Sequence, residues 1–313
     1  MNKNPGVTRI IPLALHVVTA TRCSCSVVSL QATNPAAIPD HKTTIYRRSG
    51  ISDCYLGHAH TMIKHQLLNK DSVYCNTCVL GHICVPQGLN AQDATRLNEL
   101  VKERIRIPKG TLFFKAGDRL TALYAIRSGS MKLQLENESG HMQITGFVFA
   151  GEIIGLDALA ENVHVSNAIA MEDTEVCVIR MSDLSYLSKE IPALAYRVTR
   201  LMSQEISRSH SMVLSLGAMR SEQRLAAFLI NLSQRFSCLG YSGSEYVLRM
   251  SREEIGNYLG LTLETVSRLL SRFAKEGLIR IHQREVRILD FNGLQTLIQN
   301  ENMHRADLRK ALA

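Results

Sequence analysis

The sequence predicts an α+β chain of three parts: an N-terminal β-roll of the jelly-roll kind, one long helix, and a C-terminal winged helix-turn-helix. Three observations predict it. Short alternating apolar runs separated by glycine turns fill residues 104–179. After Ile191-Pro192 the apolar spacing lengthens to three and four residues and keeps that period to Leu216. Residues 250–289 then hold two short helical stretches joined by a glycine turn and followed by two alternating runs.

Length and composition set the outer bounds. At 313 residues, with 45% hydrophobic residues, the chain is long enough for about two domains with real cores. Its 36 Lys and Arg exceed 28 Asp and Glu by +8, which favours a polyanionic partner. Eight cysteines are too few for a disulfide scaffold. Their clustering favours metal binding in a reducing compartment, the cytoplasm. No run of ~20 apolar residues exists, so no membrane span is expected. There is no glycine-rich phosphate loop, nucleophile elbow or His-Glu metal motif, so no enzyme is expected.

Residues 1–70 read as a floppy, disordered extension. Ile10 to Ala20 faintly resembles a secretory signal, but His16 interrupts it. Met62 offers an alternative translation start. Cys23, Cys25 and Cys54 lack a ligand pattern, and His58, His60 and His65 lack helical ligand spacing, which makes them solvated side chains.

Cys75-Asn-Thr-Cys78-Val-Leu-Gly-His-Ile-Cys84 places three thiols in a Cys-x2-Cys-x5-Cys pattern, and Cys177 lies far downstream in a strand-like run. A lone cysteine in such a strand is ordinarily a small buried hydrophobe. Four thiolates suit an iron–sulfur cluster, and they suit Zn²⁺ equally. Spacing alone leaves both open.

The roll begins with the alternation of Arg104 to Pro108 and continues through Thr111–Lys115, Leu123–Ile126, Met131–Leu135, Ile144–Phe149, Ala168–Ala170 and Val176–Ile179. In the long helix, Leu194, Val198, Leu201, Met202, Ile206, Met212, Val213 and Leu216 form a stripe. Its length suits a helix packed both on its own roll and on a second copy of the chain. A further helix, Ser221 to Phe236, carries Leu225, Phe228, Leu229 and Leu232 on its apolar face.

Ser251-Arg-Glu-Glu254 is a capping box, so a helix starts at Ser251 and ends at Gly260, with Gly256 small enough for a close crossing. Thr262 caps a second helix running to about Lys275, with Leu263, Val266, Leu270 and Phe273 turned inward. Glu264, Ser267 and Arg268 share its outer face. Arg268 suits guanine O6 and N7, Glu264 a cytosine or adenine amino group, and Ser267 several base edges. Arg272 and Lys275 would track phosphates. Leu278–Ile281 and Val286–Leu289 read as the wing.

The segment Ile255-Gly-Asn-Tyr-Leu-Gly-Leu-Thr-Leu-Glu-Thr-Val-Ser-Arg-Leu-Leu270 closely resembles the recognition segment of the FNR regulators, the oxygen-sensing branch of the CRP/FNR transcription factors. Leu123–Gly129, Gln143–Phe147 and Arg224–Phe228 match as well, and the resemblance covers residues 75–300. It implies a sensor roll at 71–191, a dimerisation helix at 192–218 and a winged helix-turn-helix at 219–301, with tails at 1–70 and 302–313. It implies Cys75, Cys78, Cys84 and Cys177 as ligands of a [4Fe-4S] cluster that forms without oxygen and promotes dimerisation. The implied homodimer binds double-stranded DNA at TTGAT…ATCAA-like inverted repeats, with base contacts from Glu264, Ser267 and Arg268; Thr262 and Arg272 join them as DNA-binding candidates from the reading of the helix itself. Met202, Ile206, Ser209 and Val213 would line the dimer seam. Oxygen would convert the cluster toward [2Fe-2S] and end DNA binding, and surface loops of the roll would meet RNA polymerase.

Two departures stand out. The N-terminal extension is longer than the family usually carries. Family members often have an acidic residue where this chain has Ser209, which implies an easier cluster-free dimer. Cyclic-nucleotide-binding relatives hold the phosphate with an Arg-Ser pair. The corresponding His164-Val-Ser-Asn-Ala168 has no arginine, so no cyclic nucleotide is expected.

Overall fold

The computed structural model describes residues 63–67 and 74–299. The expectations for Cys23, Cys25, Cys54, His58, His60 and the tail 302–313 lie outside the described residues; within the expected disordered extension, residues 64–67 instead form a strand, because their backbone pairs with residues 103–106 and His65 meets Glu103.

The roll is two antiparallel sheets face to face. One orders β1 (Lys64–Leu67), β2 (Glu103–Ile107), β9 (Thr174–Arg180), β4 (Ala122–Ser128) and β7 (Ile153–Ile154); the other orders β3 (Leu112–Phe114), β8 (Asn167–Ala170), β5 (Ser130–Glu136) and β6 (Met142–Phe149). A short helix, α1 (Ala91–Arg96), precedes β2. Ile105, Ile107, Ile126, Met131, Val148, Ile154, Val176 and Val178 form the core between the sheets. Alternation puts these residues on the inner faces, and each buried aliphatic side chain contributes roughly 1.5–3 kcal/mol. Gly129 turns β4 into β5 with φ +85°, and a Cβ there would lie 2.7 Å from the Asp173 carbonyl, so the turn requires glycine.

A helix absent from the sequence reading, α2 (Met181–Glu190), follows β9. It buries only Leu184 and Leu187, too sparse a pattern to reveal a helical period. Next comes α3 (Pro192–Ala218), 27 residues opened by Pro192 in its first turn. Along it only Leu194 and Arg197 are buried.

The C-terminal part contains α4 (Ser221–Cys238), β10 (Glu245–Val247), α5 (Arg252–Leu259), α6 (Leu263–Lys275), β11 (Ile279–His282), β12 (Glu285–Ile288) and α7 (Phe291–Gln299). The strands form one sheet in the order β10-β12-β11, so the wing has three strands rather than the expected two. The capping box is complete: Glu254 N–H donates to Ser251 Oγ at 3.1 Å, and Ser251 N–H to the Glu254 carboxylate at 2.7 Å. Gly260 ends α5 in the left-handed region, φ +63°.

Two details differ from expectation. Leu263 is exposed, and Leu269 joins Val266, Leu270 and Phe273 in the core, because the first turn of α6 projects past the domain edge. Gly256 admits the turn that follows it rather than a crossing helix: a Cβ there would stand 2.7 Å from the Leu261 carbonyl.

The C-terminal core does not stop at the roll. Ile144, Phe147, Phe149 and Met171 belong to the same apolar cluster as Leu225, Phe228 and Ile255. Phe147 lies 5.2 Å from the Tyr258 ring and 6.2 Å from Phe228. The helix-turn-helix is therefore docked on β6.

Candidate cysteine site and nucleic-acid interface

Residues 75–87 are a chain of tight turns. Cys78 N–H donates to the Cys75 carbonyl, Gly81 N–H to Cys78, Cys84 N–H to Leu80, and Gln87 N–H to Cys84. The wrap is close at Gly81, where a Cβ would sit 3.1 Å from the Cys78 carbonyl. Cys75 and Cys84 pack with Cys177 against an apolar cluster that includes Val85, Leu97, Leu100, Leu123 and Ala125. Cys177 lies in β9, opposite Arg104 of β2 on one side and Ala125 of β4 on the other.

None of the four cysteines is in a disulfide. Burial pushes the Cys75 thiol up to about 12, and the neighbouring Cys177, Cys84 and Cys78 sulfurs add to it. Burial likewise raises Cys84 to about 12, against the opposing pull of the Val85 N–H. Cys177 is also raised by burial, with the Arg104 guanidinium working against the rise. Cys75, Cys84 and Cys177 thus share one apolar surround, and ionising Cys75 or Cys84 is opposed by burial and by the neighbouring sulfurs, Cys78 included. Such a set ionises readily only beside added positive charge. Among the described residues no three His, Cys, Asp or Glu side chains are arranged to hold a single metal ion.

Two side chains fasten this loop to the helices. Arg197 of α3 donates through Nη2 to the carbonyls of Ile83 at 2.7 Å and Cys84 at 3.0 Å. His82 sets its Nε2 3.0 Å from the Cys238 carbonyl at the end of α4, and its Nδ1 2.9 Å from the Val79 carbonyl. Neither contact leaves a periodic trace in the sequence.

On α6, Glu264 and Arg268 are exposed and Ser267 is half-buried, all on the face turned from the core. Arg252 of α5 reaches Ser267 Oγ at 3.3 Å. The Glu264 carboxyl is held below the usual range by its own backbone N–H and by Thr262. Thr262 caps the helix, accepting from Thr265 N–H at 3.2 Å. Arg272 is already engaged: it donates to Glu276 at 2.7 Å and Glu222 at 2.6 Å. A phosphate there would have to displace carboxylates.

Sequence reasoning missed the seam between roll and helix-turn-helix. Asn257 of α5 accepts from Ile144 N–H at 2.6 Å and donates to the Met142 carbonyl at 2.9 Å. Lys132 of β5 donates to Glu254 at 2.8 Å. Arg235 of α4 donates to Glu152 at 3.1 Å and lies 4.5 Å from the centre of the Phe149 ring. Gln143, Ile144 and Asn257 all fall within the family-like segments, which is the one signal that pointed to them.

On the far side of the roll, His164 is buried and stacks on Phe114 with ring centres 3.8 Å apart. Asp157 accepts from Ser166 Oγ at 2.8 Å.

Among the described residues no helix is long and apolar enough to cross a membrane. Residues 223–297 match the Crp-like helix-turn-helix domain, and residues 104–190 match the cyclic nucleotide-binding domain. The second match overturns the expectation that cyclic nucleotides are excluded. A missing arginine removes one anion contact, whereas the match is to the whole roll. The chain is 59% identical over 235 residues to the transcriptional regulatory protein btr of Bordetella pertussis, covering 75% of this chain and 97% of that one. It is 44% identical to the anaerobic regulatory protein of Haemophilus influenzae, covering 71% and 87%. Among solved structures it is similar to FixK2 from Bradyrhizobium japonicum, with a TM-score of 0.58, 26% identity and coverage of 62% and 96%.

Proposed function

The chain belongs to the CRP/FNR family of transcriptional regulators, and from that premise we propose that it senses oxygen and controls anaerobic genes as a DNA-binding homodimer. In this reading Cys75, Cys78, Cys84 and Cys177 hold a [4Fe-4S] cluster, and the operator is an inverted repeat of the TTGAT…ATCAA kind. That the protein is a transcription regulator and not an enzyme follows from the family itself. The observation that carries the oxygen-sensing part is the packing of Cys75 and Cys84 with Cys177 on one apolar cluster, with Cys78 near enough to bear on the ionisation of Cys75.

The donor set fits the group. Four sulfurs, partly buried and free of disulfides, are the ligands that iron–sulfur clusters take, and each iron needs only one of them. Once bound, the cluster supplies the oxygen-reactive centre. The chain's own residues do the rest. The loop turns set the thiols, β9 holds the fourth, and Arg197 and His82 connect the loop to α3 and α4.

The homodimer is supported by α3. Ile206, Val213 and Leu214 are exposed at 56%, 70% and 60%, with Val213 and Leu214 about two helical turns beyond Ile206, Ser209 exposed between them and Met202 half-buried. A second α3 laid along this stripe would cover it. A two-fold dimer sets its recognition helices about 34 Å apart, one DNA turn, which suits Glu264, Ser267 and Arg268 to an inverted repeat.

The experiment is an absorption spectrum of protein purified without oxygen, with iron and acid-labile sulfide measured, then air titration alongside binding to one palindromic DNA. The expected result is a brown protein with iron and sulfide in equal amounts, whose colour and DNA affinity fall together and whose Cys177→Ser variant binds no iron. A colourless protein that holds zinc and binds DNA equally in air would overturn the sensing part and leave the DNA-binding part standing.

A further inference from the structure

Arg197 is an unusual residue for the inner face of a helix. It is 4% exposed, and its Nε and Nη1 have no hydrogen-bond partner among the described residues. Its Nη2 alone is committed, to the carbonyls of Ile83 and Cys84. Burying a guanidinium with two idle donors is costly, and the carbonyl contacts are what offset it. An apolar residue would fill the same place on α3 without that cost, as Leu194 and Leu201 do one turn to either side. The charge therefore serves the loop rather than the helix core.

We propose that Arg197 is the positioning residue that couples the cysteine loop to α3, so that rearrangement of the loop moves the first turns of the long helix. The proposal rests on the oxygen-sensing reading for what rearranges the loop; the contact itself does not. The logic is that of a shared donor. Both carbonyls belong to the Leu80–Cys84 turn of the loop, and one belongs to Cys84 itself. If Cys84 shifts, Arg197 must follow with it or lie buried without a partner, and the helix that carries Arg197 also carries the apolar stripe of Met202, Ile206 and Val213.

The test has two arms on the full chain. In the first, the dimer dissociation constant is measured by sedimentation for air-exposed and cluster-loaded protein, and the ratio of the air-exposed constant to the cluster-loaded one is compared among wild type, Arg197→Gln and Arg197→Lys. The ratio is expected to fall at least tenfold in Arg197→Gln and to be partly restored in Arg197→Lys, which keeps a charged donor. A purely structural role would lower stability and leave the ratio unchanged, and a wild-type ratio in cluster-loaded Arg197→Gln overturns the proposal. In the second arm, hydrogen exchange is followed in cluster-free protein. The Cys84 and Gln87 amides, bonded within the loop, are expected to exchange at least tenfold faster in Arg197→Gln while β9 is unaffected. Unchanged loop protection overturns the proposal. If wild type itself takes up no cluster, or its ratio is one, the oxygen-sensing reading fails and the exchange arm alone decides the role of Arg197.

Discussion

Lys132 and Glu254 meet at 2.8 Å across the seam between β5 and α5, where both side chains are mostly shielded from solvent. Burial pushes the Glu254 carboxyl up, but the Lys132 hydrogen bond and charge and the Ser251 N–H outweigh it, leaving its pKa below the ordinary value. A carboxyl lowered in the folded state contributes stability above its unfolded pKa of about 4.3 and loses it as pH falls through the lower folded value. Glu254→Gln is expected to cost about 1–3 kcal/mol at neutral pH. Thermal melts of both proteins from pH 7 to pH 3 check this: the gap should close in the acid limb, and a gap constant with pH would refute the pairing.

Gly256→Ala places a methyl group 2.7 Å from the Leu261 carbonyl, a backbone atom that cannot rotate away. The turn between α5 and α6 must open, at a cost of about 1–3 kcal/mol. A lowered denaturation midpoint, together with weaker DNA binding at temperatures where the variant is still folded, is the expected outcome. An unchanged midpoint would mean that the turn adapts freely.

Arg268 and Arg272 should separate in DNA-binding assays. Arg268 is exposed on the outer face of α6, so Arg268→Ala is expected to weaken specific binding by about 1–3 kcal/mol and relax base choice at one position of each half-site. Arg272 is held by Glu222 and Glu276, so Arg272→Ala should reduce specific affinity less. Because that ion pair is exposed and screened by solvent, its loss should leave stability nearly unchanged. Competition binding with wild-type and single-base-changed sites distinguishes the two arginines.

Ser209 stands exposed on the same side of α3 as Ile206 and Val213. Ser209→Asp is expected to set two like charges against each other across the proposed seam and shift cluster-free protein toward monomer. Sedimentation at several ionic strengths reads this, because added salt should restore part of the lost affinity. A variant whose dimer affinity matches wild type at low salt would place Ser209 away from the seam.

The elements legible in the sequence are those whose signal is local. Alternation disclosed the strands of the roll, and the Ser251 and Thr262 caps located α5 and α6 almost to the residue. That Glu264, Ser267 and Arg268 share the outer face of α6 followed from helical spacing alone. What stayed hidden was made by contacts between residues far apart in the chain. Asn257 with Ile144, Lys132 with Glu254, and Arg197 with Cys84 each join polar groups whose partners no periodicity announces. Leu263 was misplaced because a helical stripe does not say where the domain beneath it ends. The exclusion of a cyclic nucleotide failed for a related reason, since it weighed one short motif against an entire domain.

The placement of Cys177 carries one more consequence. Its strand is paired along both edges, with β2 on one side and β4 on the other, while the three remaining cysteines ride on a succession of local turns. The site is thus a vice with one jaw bolted to the bench and one jaw that slides. A disturbance that parts the cysteines is therefore expected to act on the loop before the sheets, because the loop is held by single turns and β9 by two ladders.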